Sequence, residues 1–208
     1  MKNLAQYNSS SVTVQLPTDK YIDYLMRMNC FEELLELFKD ADSPTKELSE
    51  SCSALKKLKK HTIISDSNWL HIGDGSRART AALFSLLTKS LNISIDPLIR
   101  TDILEEWVDK WEVKRFMYEK GKIEDFKLPK NINSYNITCV HAHVDLHEID
   151  EILPNWNYLY TSICCYPQKQ KFSKNYMTNN NIILLENELD LGIKSEKREY
   201  AIYEKKMQ

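Results

Sequence analysis

Apolar residues recur at intervals of three and four near the start of the chain. Tyr21, Tyr24, Leu25, Met28, Phe31, Leu34, Leu35 and Phe38 keep that spacing, which predicts an amphipathic helix from Tyr21 to Phe38. Asp42-Ser43-Pro44 breaks the pattern, and a second helix is expected from Pro44 to about Lys60. It ends in Lys56-Lys57-Leu58-Lys59-Lys60, a charge that suits a helix C-terminus. Short apolar runs then alternate with helical stretches. A strand at residue 68 runs into a glycine turn and a helix from Arg79 to Leu91, with Ala82, Leu83, Leu86 and Leu87 on one face. Asn92 to Asp96 reads as the next strand, and Ile99 to Trp111 as a helix presenting Ile103, Leu104, Trp107 and Trp111. Val113–Tyr118, Tyr135–His141 and Asn157–Cys165 are further strands, with a short helix over Asp145–Leu153. Tyr166 to Asn180 is polar and loop-like. Two last strands start at Asn181 and Arg198 with no helix between them, so they should pair antiparallel. Residues 1–18, polar and rich in serine, read as irregular.

The pattern gives an α/β fold: a doubly wound, mostly parallel sheet with a C-terminal antiparallel hairpin strand and a helical N-terminal extension. Residues 1–62 form the extension and residues 63–208 the α/β domain. Composition changes this little. At 208 residues the chain is long enough for a substantial core, and a net charge of −2 announces no global field for nucleic acid. No apolar run approaches the roughly 20 residues needed to cross a bilayer, so no membrane partner is expected. The five cysteines are odd in number and include no C-x-x-C pair, which points to reduced thiols and an intracellular, cytoplasmic protein.

Candidate chemistry concentrates in residues 68–97. The chain has four glycines, and two of them, Gly73 and Gly75, fall in His71-Ile72-Gly73-Asp74-Gly75-Ser76-Arg77. Glycine lets a backbone turn tightly and approach a ligand, and the helix that follows directs free N–H groups at the same place. Asp96 ends the second strand, where such sheets place a carboxylate on ribose hydroxyls.

This order of elements, over about residues 65–206, resembles the class I S-adenosylmethionine-dependent methyltransferases. In that family the first strand runs into an acid and a Gly-x-Gly-x-Gly turn. Gly73 and Gly75 match, while His71 stands at the acid and Arg77 at the third glycine. The resemblance implies S-adenosylmethionine as a small-molecule cofactor, contacted by His71, Gly73, Asp74, Gly75 and Arg77, with Asp96 on its ribose. The third-strand motif resembles Gly121-Lys122-Ile123-Glu124-Asp125-Phe126, which implies Glu124 and Asp125 beside the cofactor and puts Lys122 where an adenine-binding acid is usual. The segment after the fourth strand resembles Ile137 to Ile149 and brings in His141, with His143 or Asp145 as general base or orienting group.

Three of the five histidines lie in His141-Ala142-His143-Val144-Asp145-Leu146-His147. Imidazole and carboxylate at such spacing can bind a transition metal, although no metal ligand set is assigned. Cys164 and Cys165 follow the fifth strand at the same rim. Two functions stay open. One is a methyltransferase of unknown acceptor, with RNA or protein as acceptor or partner. The other is an inactive methyltransferase-like binding or scaffold subunit, as in a nucleoprotein assembly. A narrower variant binds a nucleotide or phosphate through Arg77 and Arg79 beside the helix N-terminus.

Overall fold

A computed structural model describes residues 18–206; the serine-rich start of the chain lies outside the described residues apart from Thr18. Among the described residues, seven strands form one sheet. They are β1 (Asn68–Ile72), β2 (Asn92–Ile95), β3 (Phe116–Glu119), β4 (Tyr135–Cys139), β5 (Trp156–Ser162), β6 (Ile182–Leu189) and β7 (Glu199–Lys205). Their spatial order is β3-β2-β1-β4-β5-β7-β6. The first five are parallel, whereas β7 pairs antiparallel with both β5 and β6. The chain order reverses between β1 and β4, both ladders of β1 being parallel. That reversal opens a crevice at the C-terminal ends of the strands.

The helices are α1 (Lys20–Leu25), α2 (Phe31–Phe38), α3 (Pro44–Leu58), α4 (Arg79–Leu87), α5 (Thr101–Trp111), α6 (Leu146–Ile152) and α7 (Lys174–Asn179). Side chains alternate across a strand, so β1 feeds two cores. Leu70 and Ile72 pack with Ile137, Leu146 and Ile149 beneath α6. Trp69 packs on the other face with Phe84 of α4 and Leu55 and Leu58 of α3. Beside it, α1 and α2 bury Tyr21, Leu34 and Phe38 against Leu83 of α4 and Trp107 of α5.

The expected helix from Tyr21 to Phe38 is two helices. A tight turn separates them, with Met28 N–H donating to Leu25 O at 2.9 Å and Phe31 N–H to Met28 O at 3.2 Å. The bend sends Lys20 and Tyr21 to Asp190 and brings α2 onto α5, where Trp107 Nε1 donates to Glu33 O at 2.9 Å. Both halves bury onto one core, so the apolar spacing runs through the bend without marking it. The loop expected over Tyr166–Asn180 contains α7, capped by Ser173 and too short for periodicity to reveal. The strand expected to reach His141 stops at Cys139, because His141 takes a left-handed backbone (φ 54°). The closing strands are antiparallel as their proximity in sequence required.

Three of the four lysines at the end of α3 are held by side chains of the fold. Lys56 lies over the Tyr24 ring, Lys57 donates to Tyr200 Oη at 2.7 Å, and Lys60 pairs with Glu186 at 3.3 Å. Asp190, buried after β6, ties α1 and α3 to the hairpin. It accepts from Lys20 Nζ at 2.9 Å, Ser53 Oγ at 2.7 Å, Gly192 N–H at 2.9 Å and the Tyr21 hydroxyl.

Candidate active site at the C-terminal rim of the sheet

The rim begins where β1 ends. Gly73 and Gly75 both have positive φ (67° and 74°). At Gly73 a β-carbon would stand 2.6 Å from Ala142 Cβ, so glycine is what lets the loops after β1 and β4 touch. Asp74 turns back onto α4 and accepts the N–H groups of Thr80 and Ala81, each at 2.9 Å. Its burial pushes the carboxyl up to about 6, even though those amides favour the charge. The α4 N-terminus therefore carries an anion of the chain's own. Arg79 pairs with Glu47 and donates to Leu37 O at 2.8 Å, and Arg77 pairs with Asp40 at 2.7 Å. Both guanidiniums are paired within the chain, and Arg79 also lines the hollow beside the start of α4.

Asp96 follows β2 and accepts from Gly75 N–H at 2.9 Å and Leu98 N–H at 2.7 Å. It borders a cleft of about 490 Å³, also lined by Gly73, Gly121, Ile123, His141 and Val144. That volume lies within the usual range for a small-molecule site. A second hollow of about 220 Å³ shares Gly73 and His141 with the cleft and runs under α3, past Asp74, Gly75, Lys46 and Glu50.

The residues singled out from the sequence separate here. Gly73, Asp96, Glu124, His141, His143 and Asp145 line the main cleft, and Asp74 and Gly75 line the hollow. Asp125 ends the short turn Ile123–Asp125 and is absent from both linings. Arg77 faces a different hollow, beside Leu37, Asp40 and Trp107, and does not enter the cleft. His71 is fully buried beneath α4. Its Nδ1 lies 2.7 Å from Thr138 Oγ1 and its Nε2 3.2 Å from Asn92 Oδ1, with the Phe84 ring edge-on at 4.9 Å. Burial holds its pKa down at about 3, so the ring stays neutral between the strands.

After β4, His141 N–H donates to Ser162 Oγ at 2.7 Å. Its ring is half-buried, and burial, with Lys46 nearby, brings its pKa down to about 4. His143 is exposed at the cleft edge with Tyr166 5.3 Å away, ring to ring. Asp145 caps α6 by accepting His147 N–H at 3.1 Å. His147 turns away from the cleft onto Tyr176 and Phe172, with ring centroids 4.5 and 5.4 Å apart. The spacing His141, His143, Asp145, His147 is therefore not gathered into one set.

Sequence reasoning missed Glu50. It sits on α3, buried, 3.8 Å from His141 Nδ1. Burial pushes it up to about 7, the Lys46 charge offsetting only part of that. Nothing in the helical pattern of α3 distinguishes it. Only the packing of α3 over the glycine loop brings a carboxylate to the cleft from the N-terminal helices.

Comparison with solved structures identifies this architecture. A proposed RNA methyltransferase from Pyrococcus horikoshii superposes with a TM-score of 0.56 at 11% identity, over 90% of this chain and 97% of that one. The fold is that of the class I methyltransferases. Magnesium protoporphyrin IX methyltransferase from Synechocystis PCC 6803, solved with bound S-adenosylmethionine, gives 0.52 at 12% identity, over 92% of this chain and 98% of that one. The N-methyltransferase NodS from Bradyrhizobium japonicum WM9 gives 0.51 at 13% identity, over 80% and 99%. No family model and no curated relative matches the sequence. No described helix of this methyltransferase fold is long and apolar enough to cross a membrane.

Proposed function

We propose that the chain is an S-adenosylmethionine-dependent methyltransferase. The adenosine part lies in the main cleft and the methionine part points into the hollow under α3. The observation that carries the reading is Asp96. Two backbone amides fix its carboxylate at the end of β2, and a carboxylate has about four acceptor positions, so capacity remains for ribose hydroxyls. Gly121 and Ile123 flank the adenine end. Glu50 faces the glycine loop from α3 and accepts no hydrogen bond among the described residues, so it supports contact with the cofactor's ammonium group. It takes the place of the acid that the family carries where this chain has His71.

When bound, S-adenosylmethionine supplies an electrophilic methyl group on sulfur. The chain's own residues then work mainly by position. Gly73 lets the backbone come close, Asp96 and Glu50 hold the two ends, and His143 and Asp145 stand at the acceptor side. Asp145 takes the proton that the acceptor releases. The acceptor is left unassigned. RNA is the substrate named for the Pyrococcus horikoshii protein and a porphyrin for the Synechocystis enzyme, and these relatives share fold without sharing acceptor chemistry.

Lys122, at the adenine end, favours the second reading, a binding or scaffold subunit that takes no cofactor. Isothermal titration with S-adenosylmethionine separates the two. Micromolar binding is expected, weakened at least about tenfold by Asp96→Ala, as for loss of a hydrogen bond to a charged group. No heat at millimolar cofactor would overturn the methyltransferase reading and leave the scaffold.

A further inference from the structure

Beside the cofactor cleft, two loops bring together side chains far apart in sequence. The loop after β4 carries His141 and His143, and the loop after β5 carries Cys164. One donor atom from each lies within 4.8 Å of the other two. We infer that His141, His143 and Cys164 form a site for a divalent transition metal of the zinc class, with its fourth position open to the cleft.

The donor set fits that chemistry. Imidazole and thiolate are preferred ligands of zinc, and three protein ligands with one open position is the usual layout of a reactive zinc site. Ligand atoms on a tetrahedral zinc stand roughly 3.3–3.8 Å apart, given bonds of about 2.1 and 2.3 Å. At 4.8 Å a pair of donors needs to close by about 1–1.5 Å, part of which a ring rotation at the exposed His143 supplies.

The shell behind the donors is built. Gln170 is fully buried and bridges both loops. Its Nε2 donates to Ala142 O at 2.5 Å, and its Oε1 accepts Cys164 N–H at 2.8 Å. The same Nε2 lies 3.1 Å from Cys164 Sγ, an outer contact that orients the sulfur. The Ser162 hydroxyl pins the His141 amide, and the left-handed backbone at His141 turns the chain sharply between β4 and His143. Unlike His147, whose Nδ1 lies 3.2 Å from Asp145 Oδ1, neither His141 nor His143 has a hydrogen bond to its ring among the described residues. Both line the main cleft. A water, thiol or hydroxyl group entering the open position would meet the ion there and lose its proton more readily.

Zinc binding can be read without cofactor, so it stands or falls separately from methyl transfer. Chelator-treated full-length protein is titrated with zinc against a chromophoric chelator, and with cobalt(II) as an optical probe. One tightly bound equivalent is expected, with four-coordinate cobalt d–d bands and a thiolate-to-cobalt charge-transfer band. Cys164→Ser should remove the charge-transfer band while Cys165→Ser leaves it. His143→Ala, at an exposed position, should weaken zinc by more than about 100-fold, since a lost ligand costs at least as much as the 10–100-fold of a lost outer contact. It decides the matter if Cys164→Ser fails to fold. No stoichiometric zinc, zinc binding unchanged in His143→Ala, or a charge-transfer band that follows Cys165 would overturn the assignment.

Discussion

At the junction of α1, α3 and the β6–β7 hairpin, Asp190 meets a donor on every side: Lys20, Tyr21, Ser53 and the Gly192 amide. Burial alone would push it up, but those donors outweigh burial and hold it down at about 2. At the cleft, Glu50 is equally buried, with His141 at 3.8 Å, and burial pushes it up to about 7, the Lys46 charge offsetting only part of that. The same functional group is structural in one region and under-paired in the other. A fully paired carboxylate holds elements together, and its charge is useful only to the fold. An under-paired one costs stability while no ligand is bound and can be compensated by a cation from outside.

The comparison breaks most visibly at Asp190. Asp190→Ala should lower unfolding free energy by about 3 kcal/mol in denaturant titration, since it strips a buried charged network, and should leave cofactor affinity nearly unchanged. The two acids also set opposite pH slopes. Asp190 has a depressed pKa, so its contribution is present above about pH 4 and is lost as pH falls towards 2. Glu50 has a raised pKa, so the folded chain holds a proton that the unfolded chain has released, and stability falls as pH rises from about 4.3 to 7.

Glu50→Gln removes that penalty. It should raise stability of the cofactor-free protein at pH 8 by about 2–3 kcal/mol and flatten the slope between pH 4.3 and 7, both measurable by denaturant titration. The same variant should bind S-adenosylmethionine about tenfold more weakly in calorimetry. Greater stability with unchanged affinity would remove Glu50 from the cofactor site. The smallest effect is expected at Arg77. Its half-exposed pair with Asp40 lies away from the cleft, so Arg77→Ala should cost less than about 1 kcal/mol and change cofactor affinity less than about twofold. A large loss of binding would place the guanidinium in the site after all.

Arg77 and Glu50 also show where the sequence stops being readable. In the one-dimensional pattern Arg77 occupies the third glycine position of a cofactor loop and reads as a cofactor or phosphate contact. Its partner Asp40 comes from the end of α2, and that pairing turns the guanidinium out of the cleft. His71 occupies the position of the family's acid, yet strand alternation points it inward under α4, where Thr138 and Asn92 take both ring nitrogens. Glu50 and Cys164 carry no local motif. One reaches the rim on a helix that precedes the sheet, and the other through a buried glutamine that joins two loops.

The sequence by itself determined the sheet. Short apolar runs separated by helical periods allow little besides parallel strands with crossovers, and the two last strands, lacking a helix between them, had to return antiparallel. It also determined that Gly73, Gly75 and Asp96 share one rim, because all three follow from strand ends in a single βαβ unit. Tertiary structure alone decided which charges face the cleft. Side-chain direction there depends on partners from distant segments, such as Asp40 for Arg77, Thr138 for His71 and Gln170 for Cys164. Such partners leave no period or spacing in the chain, since their contact is made in space and not along the sequence.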